Sequence, residues 1–140
     1  MRVLQLYTST RSFFENQVRA LEAEGVDCTT LRVPGSFEPG SYRSVTDYLK
    51  YVPKVLGHSL SGYDVVHANW GLLGPFALAQ PSRPVVLSLW GSDVMSDRRW
   101  LTELSRQSAR LADEVVLPSE AMTPALDCDH EVVPFGIDLD

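Results

Sequence analysis

Five short polar stretches each follow an apolar run, and they hold most of the side chains in this sequence that are equipped for chemistry. Hydroxyls, glycines and carboxylates recur in them. Such groups suit a polar ligand with phosphates or many hydroxyls, because glycine lets a ligand approach the backbone and the other groups form hydrogen bonds with it. The stretches are residues 8–12, 69–71, 91–93, 118–120 and 135–138.

The apolar pattern predicts the elements that position these stretches. Apolar residues recur at helical spacing in Phe14, Val18 and Leu21, and again from Val45 to Leu56, where Pro53 predicts a kink or an end. Further helices are predicted over 72–79, over 120–126, and from Trp100 to Leu111. Strands are predicted at residues 3–7, 26–33, 64–68, 84–90, 114–117 and 131–134.

This alternation of strands and helices predicts an α/β fold. Because the strands are apolar on both faces, we expect a Rossmann-like parallel sheet of about six strands with helices on both faces. The 140 residues fit one domain. Ligands of such sheets lie beyond the carboxyl ends of the strands, so all five polar stretches are expected at one edge.

Composition narrows the range of functions. The net charge of −6, without a basic stripe, argues against nucleic-acid binding. No apolar run approaches the ~20 residues of a membrane span, and residues 1–7 are too short for a signal peptide, so we expect a cytoplasmic protein. Cys28 and Cys128 show no ligand spacing, and neither a disulfide nor a metal site is predicted.

Four segments carry a resemblance to a known family. In order and spacing they resemble the N-terminal half of family 4 glycosyltransferases, which have the GT-B fold. The resemblance implies retaining transfer of a sugar from a nucleotide-sugar donor to a glycan or lipid-linked acceptor, with no other cofactor. It also implies that residues 1–140 are the acceptor-side domain, and that the C-terminal, donor-binding domain is absent. The segments are YDVVHANWG (63–71), PVVLSLWGSDVM (84–95), ADEVVLPSEAM (112–122) and VVPFGIDLD (132–140).

The resemblance also implies site residues. Asp93 is expected to accept hydrogen bonds from sugar hydroxyls, and Trp90 occupies a position where many members have histidine; these two are the catalytic candidates. The substrate-binding candidates are Ser9, Thr10, Arg11, Ser12, His67, Asn69, Trp70, Gly71, Gly91, Ser92, Ser119, Glu120 and Gly136.

Structural roles remain open for several of these residues. His67 ends a buried strand, where histidine is commonly a core residue, and Asp93 has the position of a helix cap. Ser119 with Glu120 is typical of a helix start, and Trp100 is expected to be a core anchor. Residues 127–129 spell D-x-D, which we interpret as a polar loop rather than a metal motif.

The sequence also bears on functions other than a complete glycosyltransferase. Without its second domain the chain is expected to be inactive, and the alternative is a non-catalytic interaction module or a split-enzyme subunit. Self-association is expected through an apolar patch with Trp70, Trp90 and Phe135. A hydrolase using Ser92, His67 and Asp93 is disfavoured because no G-x-S-x-G motif is present. A dinucleotide binder is disfavoured because no G-x-G-x-x-G motif follows the first strand.

Overall fold

The protein folds around one parallel six-stranded sheet. The computed structural model describes residues 1–8, 12–33, 52–59, 62–80, 84–91, 93–95 and 99–134. Its strands lie in the order β2-β1-β3-β4-β5-β6, and each neighbouring pair is parallel. The predicted α/β class and the six strands are confirmed. The strands are β1 (Arg2–Tyr7), β2 (Asp27–Arg32), β3 (Val65–Ala68), β4 (Val85–Ser88), β5 (Glu114–Leu117) and β6 (Glu131–Val132).

Helices connect these strands close to the predicted positions. Two 3-10 helices, Gly71–Leu73 and Glu120–Ala125, accompany the α-helices. Pro53 lies in the first turn of a helix, where its missing N–H is tolerated; the part of this prediction over residues 45–51 falls outside the described ranges. The α-helices are α1 (Ser12–Ala23), α2 (Val52–Ser59), α3 (Gly74–Ala79) and α4 (Arg99–Leu111).

Both faces of the sheet carry helices. On one face, Phe14 of α1 stacks on Tyr7 of β1 with ring centroids 4.8 Å apart. The opposite face holds the main core, in which α2, α3 and α4 contribute Val55, Phe76 and Leu101. The sheet residues of this core are fully buried and include Leu4, Leu6, Val66, Ala68, Val85 and Leu87. None of the helices that the structure describes is both long and apolar enough to cross a membrane.

The strand order reverses next to β1. Since β1 pairs with β2 on one side and β3 on the other, the connections leave it in opposite directions. In parallel sheets this switch point opens a crevice at the carboxyl ends of the two central strands. Leu6 of β1 pairs with Ala68 of β3, so the loops that follow them begin side by side.

Helix α4 packs very closely on the segment that follows β3. A Cβ atom added to Gly71 would lie 2.0 Å from Ser105 Oγ, and one added to Gly74 would lie 2.4 Å from Ser108 Cβ. These distances are shorter than any tolerated contact, so only glycine permits this approach. Two serines facing two glycines therefore fix the position of α4.

The close approach determines which face of α4 is buried. Leu101, Ser105 and Ser108 are buried, whereas Trp100 is 55% exposed and Leu111 is 65% exposed. The prediction of Trp100 as a core anchor is therefore wrong. The small serines are buried because bulkier side chains do not fit against the glycines.

Candidate functional site

Asp93 joins the loops that follow β3 and β4. Its carboxylate is fully buried and accepts hydrogen bonds from four backbone N–H groups. Gly71, in the loop after β3, donates to Oδ2 over 3.0 Å. Trp90 and Gly91, after β4, donate over 3.0 Å and 2.9 Å, and Val94 donates over 3.0 Å. One side chain thus holds together two loops at the carboxyl edge of the sheet.

The electrostatics of Asp93 reflect two opposing effects. Burial raises the pKa of its carboxyl, because a charge is less stable away from water, and the backbone N–H groups of Trp90, Gly91 and Gly71 oppose this by stabilising the charge. Both oxygens already have partners inside the protein. The contacts of Asp93 are those of a positioning residue, and direct contact with a sugar stays a prediction.

The glycine and tryptophan candidates occupy very different environments. Trp70 is 9% exposed and belongs to the core, so the prediction that it contributes to a surface patch is wrong. Trp90 is half-buried and packs against the core. Gly91 has a φ of 122°, which favours glycine, and a Cβ added there would meet nothing within 4 Å. Of these candidates, Gly91 leaves the most space for a ligand to approach the backbone.

Asn69 forms the centre of a buried amide network at the switch point. Its Nδ2 donates to Gln5 Oε1 over 2.8 Å and to the Leu6 carbonyl over 3.0 Å. Its Oδ1 accepts from Gln17 Nε2 over 3.0 Å. Asn69 therefore links β3 to β1 and α1, and at 1% exposed it does not reach solvent. Gln5 and Gln17 were missed from the sequence, although a glutamine inside the apolar run of β1 was an available signal.

His67 contacts a serine that the sequence did not single out. Its Nε2 lies 2.6 Å from the Oγ of Ser88 on the neighbouring strand. Burial lowers the pKa of His67 to about 4. The imidazole is therefore neutral at pH 7, and its described contact lies within the sheet.

The candidate residues after β5 have a structural contact. Ser119 Oγ accepts a hydrogen bond from the Ala121 N–H over 3.2 Å and caps the 3-10 helix that Glu120 begins. This confirms that the pair opens a helix, while its contact with a substrate stays a prediction. Ser12 is the first residue of α1. The candidates Ser9, Thr10, Arg11, Ser92 and Gly136 fall outside the described ranges.

Arg110 of α4 holds the D-x-D stretch, and Arg106 holds the segment just before it. Arg110 Nε and Nη2 donate to the two carboxylate oxygens of Asp127 over 3.0 Å and 2.6 Å. This interaction raises the pKa of Arg110 and lowers that of Asp127. Arg106 Nε donates to the Ala125 carbonyl over 2.9 Å. Within the part of the chain that the structure describes, no group of three or more His, Cys, Asp or Glu residues is arranged to hold a metal ion.

Comparison with a solved structure supports the fold. The ydeN gene product from B. subtilis superposes with a TM-score of 0.52 at 14% sequence identity. The match covers 94% of this chain and 84% of that one. At this identity the similarity concerns the fold alone. Among curated proteins, none matches.

A family model identifies the relationship that the fold leaves open. The model of the glycosyl transferase 4-like domain matches residues 6–132, which include all the loops described above apart from the final one. Three of the four segments that resemble family 4 glycosyltransferases lie within this match, and the fourth, residues 132–140, begins at its last residue. This chain belongs to the glycosyl transferase 4-like domain family.

Proposed function

We propose that this chain is the acceptor-side half of a glycosyltransferase that moves a sugar from a nucleotide-sugar donor to a glycan or lipid-linked acceptor. The observation that carries the proposal is the carboxyl-edge site, where Asp93 ties two loops together beside the open Cβ position of Gly91. Membership of the family supports the reaction type. Ligands of parallel sheets lie beyond the carboxyl ends of the strands at the switch point, which makes this edge the expected place for a polar acceptor.

The contacts of the backbone N–H groups at this edge support the assignment of donor binding to a second domain. Backbone N–H groups at strand ends are common ligands for phosphate. Here the N–H groups of Gly71, Trp90 and Gly91 already donate to the Asp93 carboxylate. A donor diphosphate therefore needs other partners, and we assign them to a donor-binding domain. The chain alone lacks that stabilisation of the leaving group and is inactive in this proposal.

Reconstitution tests this function. The chain is purified and assayed for transfer from a set of nucleotide sugars to glycan and lipid-linked acceptors, alone and mixed with a donor-binding domain of the same family. The first domain to try is one encoded next to this gene. We expect transfer in the mixture only. Measurable turnover by the chain alone would sink the half-enzyme proposal.

The alternative function is a non-catalytic interaction module derived from the family. The contacts of Asp93 and Asn69 favour this alternative, because both side chains form hydrogen bonds within the protein. A neighbouring gene that encodes a donor-binding domain would support the split enzyme, whereas unrelated neighbours and a mixture without activity would support the module. A further proposal about partners is that the chain self-associates. A measurement of its molar mass in solution tests this, and the mass of a single chain would contradict it.

We also propose a cytoplasmic location. Cys28 and Cys128 are both free thiols, which suits a reducing compartment. Cell fractionation with an antibody to the chain checks this, and recovery with the membrane or secreted fraction would contradict it.

A further inference from the structure

The first turn of α4 extends past the carboxyl edge of the sheet. Just after α4, the Asp113 carboxylate accepts from the Val85 N–H over 2.7 Å, so the end of α4 lies beside the start of β4. Its first turn therefore lies at the opposite edge, where the candidate site is. Ser105 is level with Gly71, and at about 1.5 Å per residue Trp100 lies about 7 Å further out.

This turn presents Trp100 on a firm support. Its neighbour Leu101 is 3% exposed and packs in the core, and Thr102 Oγ1 donates to the Arg99 carbonyl within the turn over 3.1 Å. Trp100 nevertheless leaves 55% of its surface in solvent, and Met95 in the preceding loop leaves 61%. A largely exposed indole therefore lies at the carboxyl side of the sheet, on a turn that Leu101 anchors in the core.

The size of this apolar surface indicates what it can bind. From the usual area of a buried tryptophan, the exposed part of Trp100 offers roughly 100 Å². A stable protein interface needs about 800 Å² from each partner. One indole face instead matches one sugar ring, whose C–H groups pack on the ring while its hydroxyls stay in water.

We infer that Trp100 is a saccharide-binding platform, which packs against a sugar ring of the acceptor outside the reacting centre. This inference rests on the proposed function for the class of ligand. It assigns to Trp100 a role in acceptor affinity and specificity, and it makes no use of the donor. Of the two exposed apolar residues, Trp100 forms the platform. Met95 donates its backbone N–H to the Gly91 carbonyl over 2.8 Å and therefore lies next to the candidate site.

Direct binding measurements test the inference without a donor domain. The probes are maltotriose, cellotriose, chitotriose and mannotriose at millimolar concentrations, followed through the indole N–H resonances of the three tryptophans by NMR. We expect one of these sugars to shift the Trp100 resonance in a saturable manner. Trp100→Ala should raise the Kd roughly tenfold or more, and Trp100→Phe should retain much of the affinity.

Leu111→Ala provides the matched control. Leu111 is an exposed apolar residue of the same helix, at its far end, and its replacement should leave both the Kd and the melting temperature unchanged. Equal sugar binding by wild type and Trp100→Ala would overturn the inference and leave the proposed function standing. Absence of binding to every probe would also overturn it. Binding through Trp100 without transfer in any reconstituted mixture would uphold it and contradict the proposed function.

Discussion

Replacement of Asp93 by alanine should lower the stability of the fold, because this side chain acts through its contacts within the protein. The substitution removes the Asp93 acceptor from four backbone N–H groups. That of Val94 keeps the Gly91 carbonyl over 3.2 Å, so the loss falls on Gly71, Trp90 and Gly91. At about 1 kcal/mol for each of these three hydrogen bonds, the cost is about 3 kcal/mol. Relief of the buried charge and entry of water reduce it, so we expect a loss of about 2 to 3 kcal/mol in the free energy of unfolding.

The assay is urea unfolding at pH 7, with Asp64→Ala as the matched control. Asp64 also accepts from one backbone N–H, that of Arg2, over 2.8 Å, but the contact is exposed. Its removal should cost less than about 1 kcal/mol. If Asp93→Ala loses as little stability as the control and still abolishes transfer in the reconstituted pair, then the carboxylate acts on substrate and our reasoning about its positioning role is refuted.

Three further predictions concern the neighbours of this site. Gly71→Ala should destabilise the protein by about 2 kcal/mol or more in thermal unfolding, because the new Cβ would lie 2.0 Å from Ser105 Oγ. The control Gly57→Ala, whose Cβ would meet no atom within 4 Å, should be neutral or stabilising. Equal effects of the two substitutions would contradict the close packing of α4. Asn69→Ala should cost about 2 to 3 kcal/mol in urea unfolding, since it breaks the bonds to Gln5 and Gln17 in the interior, and a wild-type midpoint would rule out the network as a source of stability. The folded-state pKa of His67 is about 4 against an ordinary 6.5, so the unfolded state takes up a proton first as the pH falls. The stability that neutral His67 supplies is therefore complete above pH 6.5 and is lost towards pH 4, by about 1 to 2 kcal/mol for a partly exposed ring. His67→Gln should remove this loss of stability between pH 6.5 and pH 4. An unchanged profile of unfolding free energy against pH would show that His67 does not cause the loss.

The sequence predicted the elements well because strand and helix signals are local. The central strands β3, β4 and β5 are short apolar runs, and each was predicted from such a run. By contrast, β2 has the sequence DCTTLR and is largely polar. Strand ends moved by a few residues, as in the run 84–90, of which Val85–Ser88 is paired. Such shifts depend on hydrogen bonds to a neighbouring strand, which a single segment does not reveal.

The roles of the site residues were less predictable because they depend on distant contacts. Asp93 accepts a hydrogen bond from Gly71, which lies 22 positions earlier in the chain. Asn69 accepts one from Gln17, which lies 52 positions earlier. No spacing rule within one loop identifies such partners. Both side chains were interpreted as ligand contacts, whereas the structure places them within the protein.

The exposure of the tryptophans shows a second limit. The helical apolar pattern favoured Trp100 as a buried residue of α4, and the position of Trp70 after a strand favoured it as a rim residue. The structure has the reverse. The reason is steric, since Gly71 and Gly74 bring α4 so near that Ser105 and Ser108 occupy its inner face. A small-residue interface of this kind has no signal in hydrophobicity alone.

Nucleotide-sugar binding by the chain alone tests the central claim most directly. Our account assigns the donor to another domain, because the amides of Gly71, Trp90 and Gly91 already bind Asp93. Titration of the purified chain with a panel of nucleotide diphosphate sugars by calorimetry should show no saturable binding up to millimolar concentration. Saturable binding with a micromolar Kd would place the donor site on this chain and contradict the account.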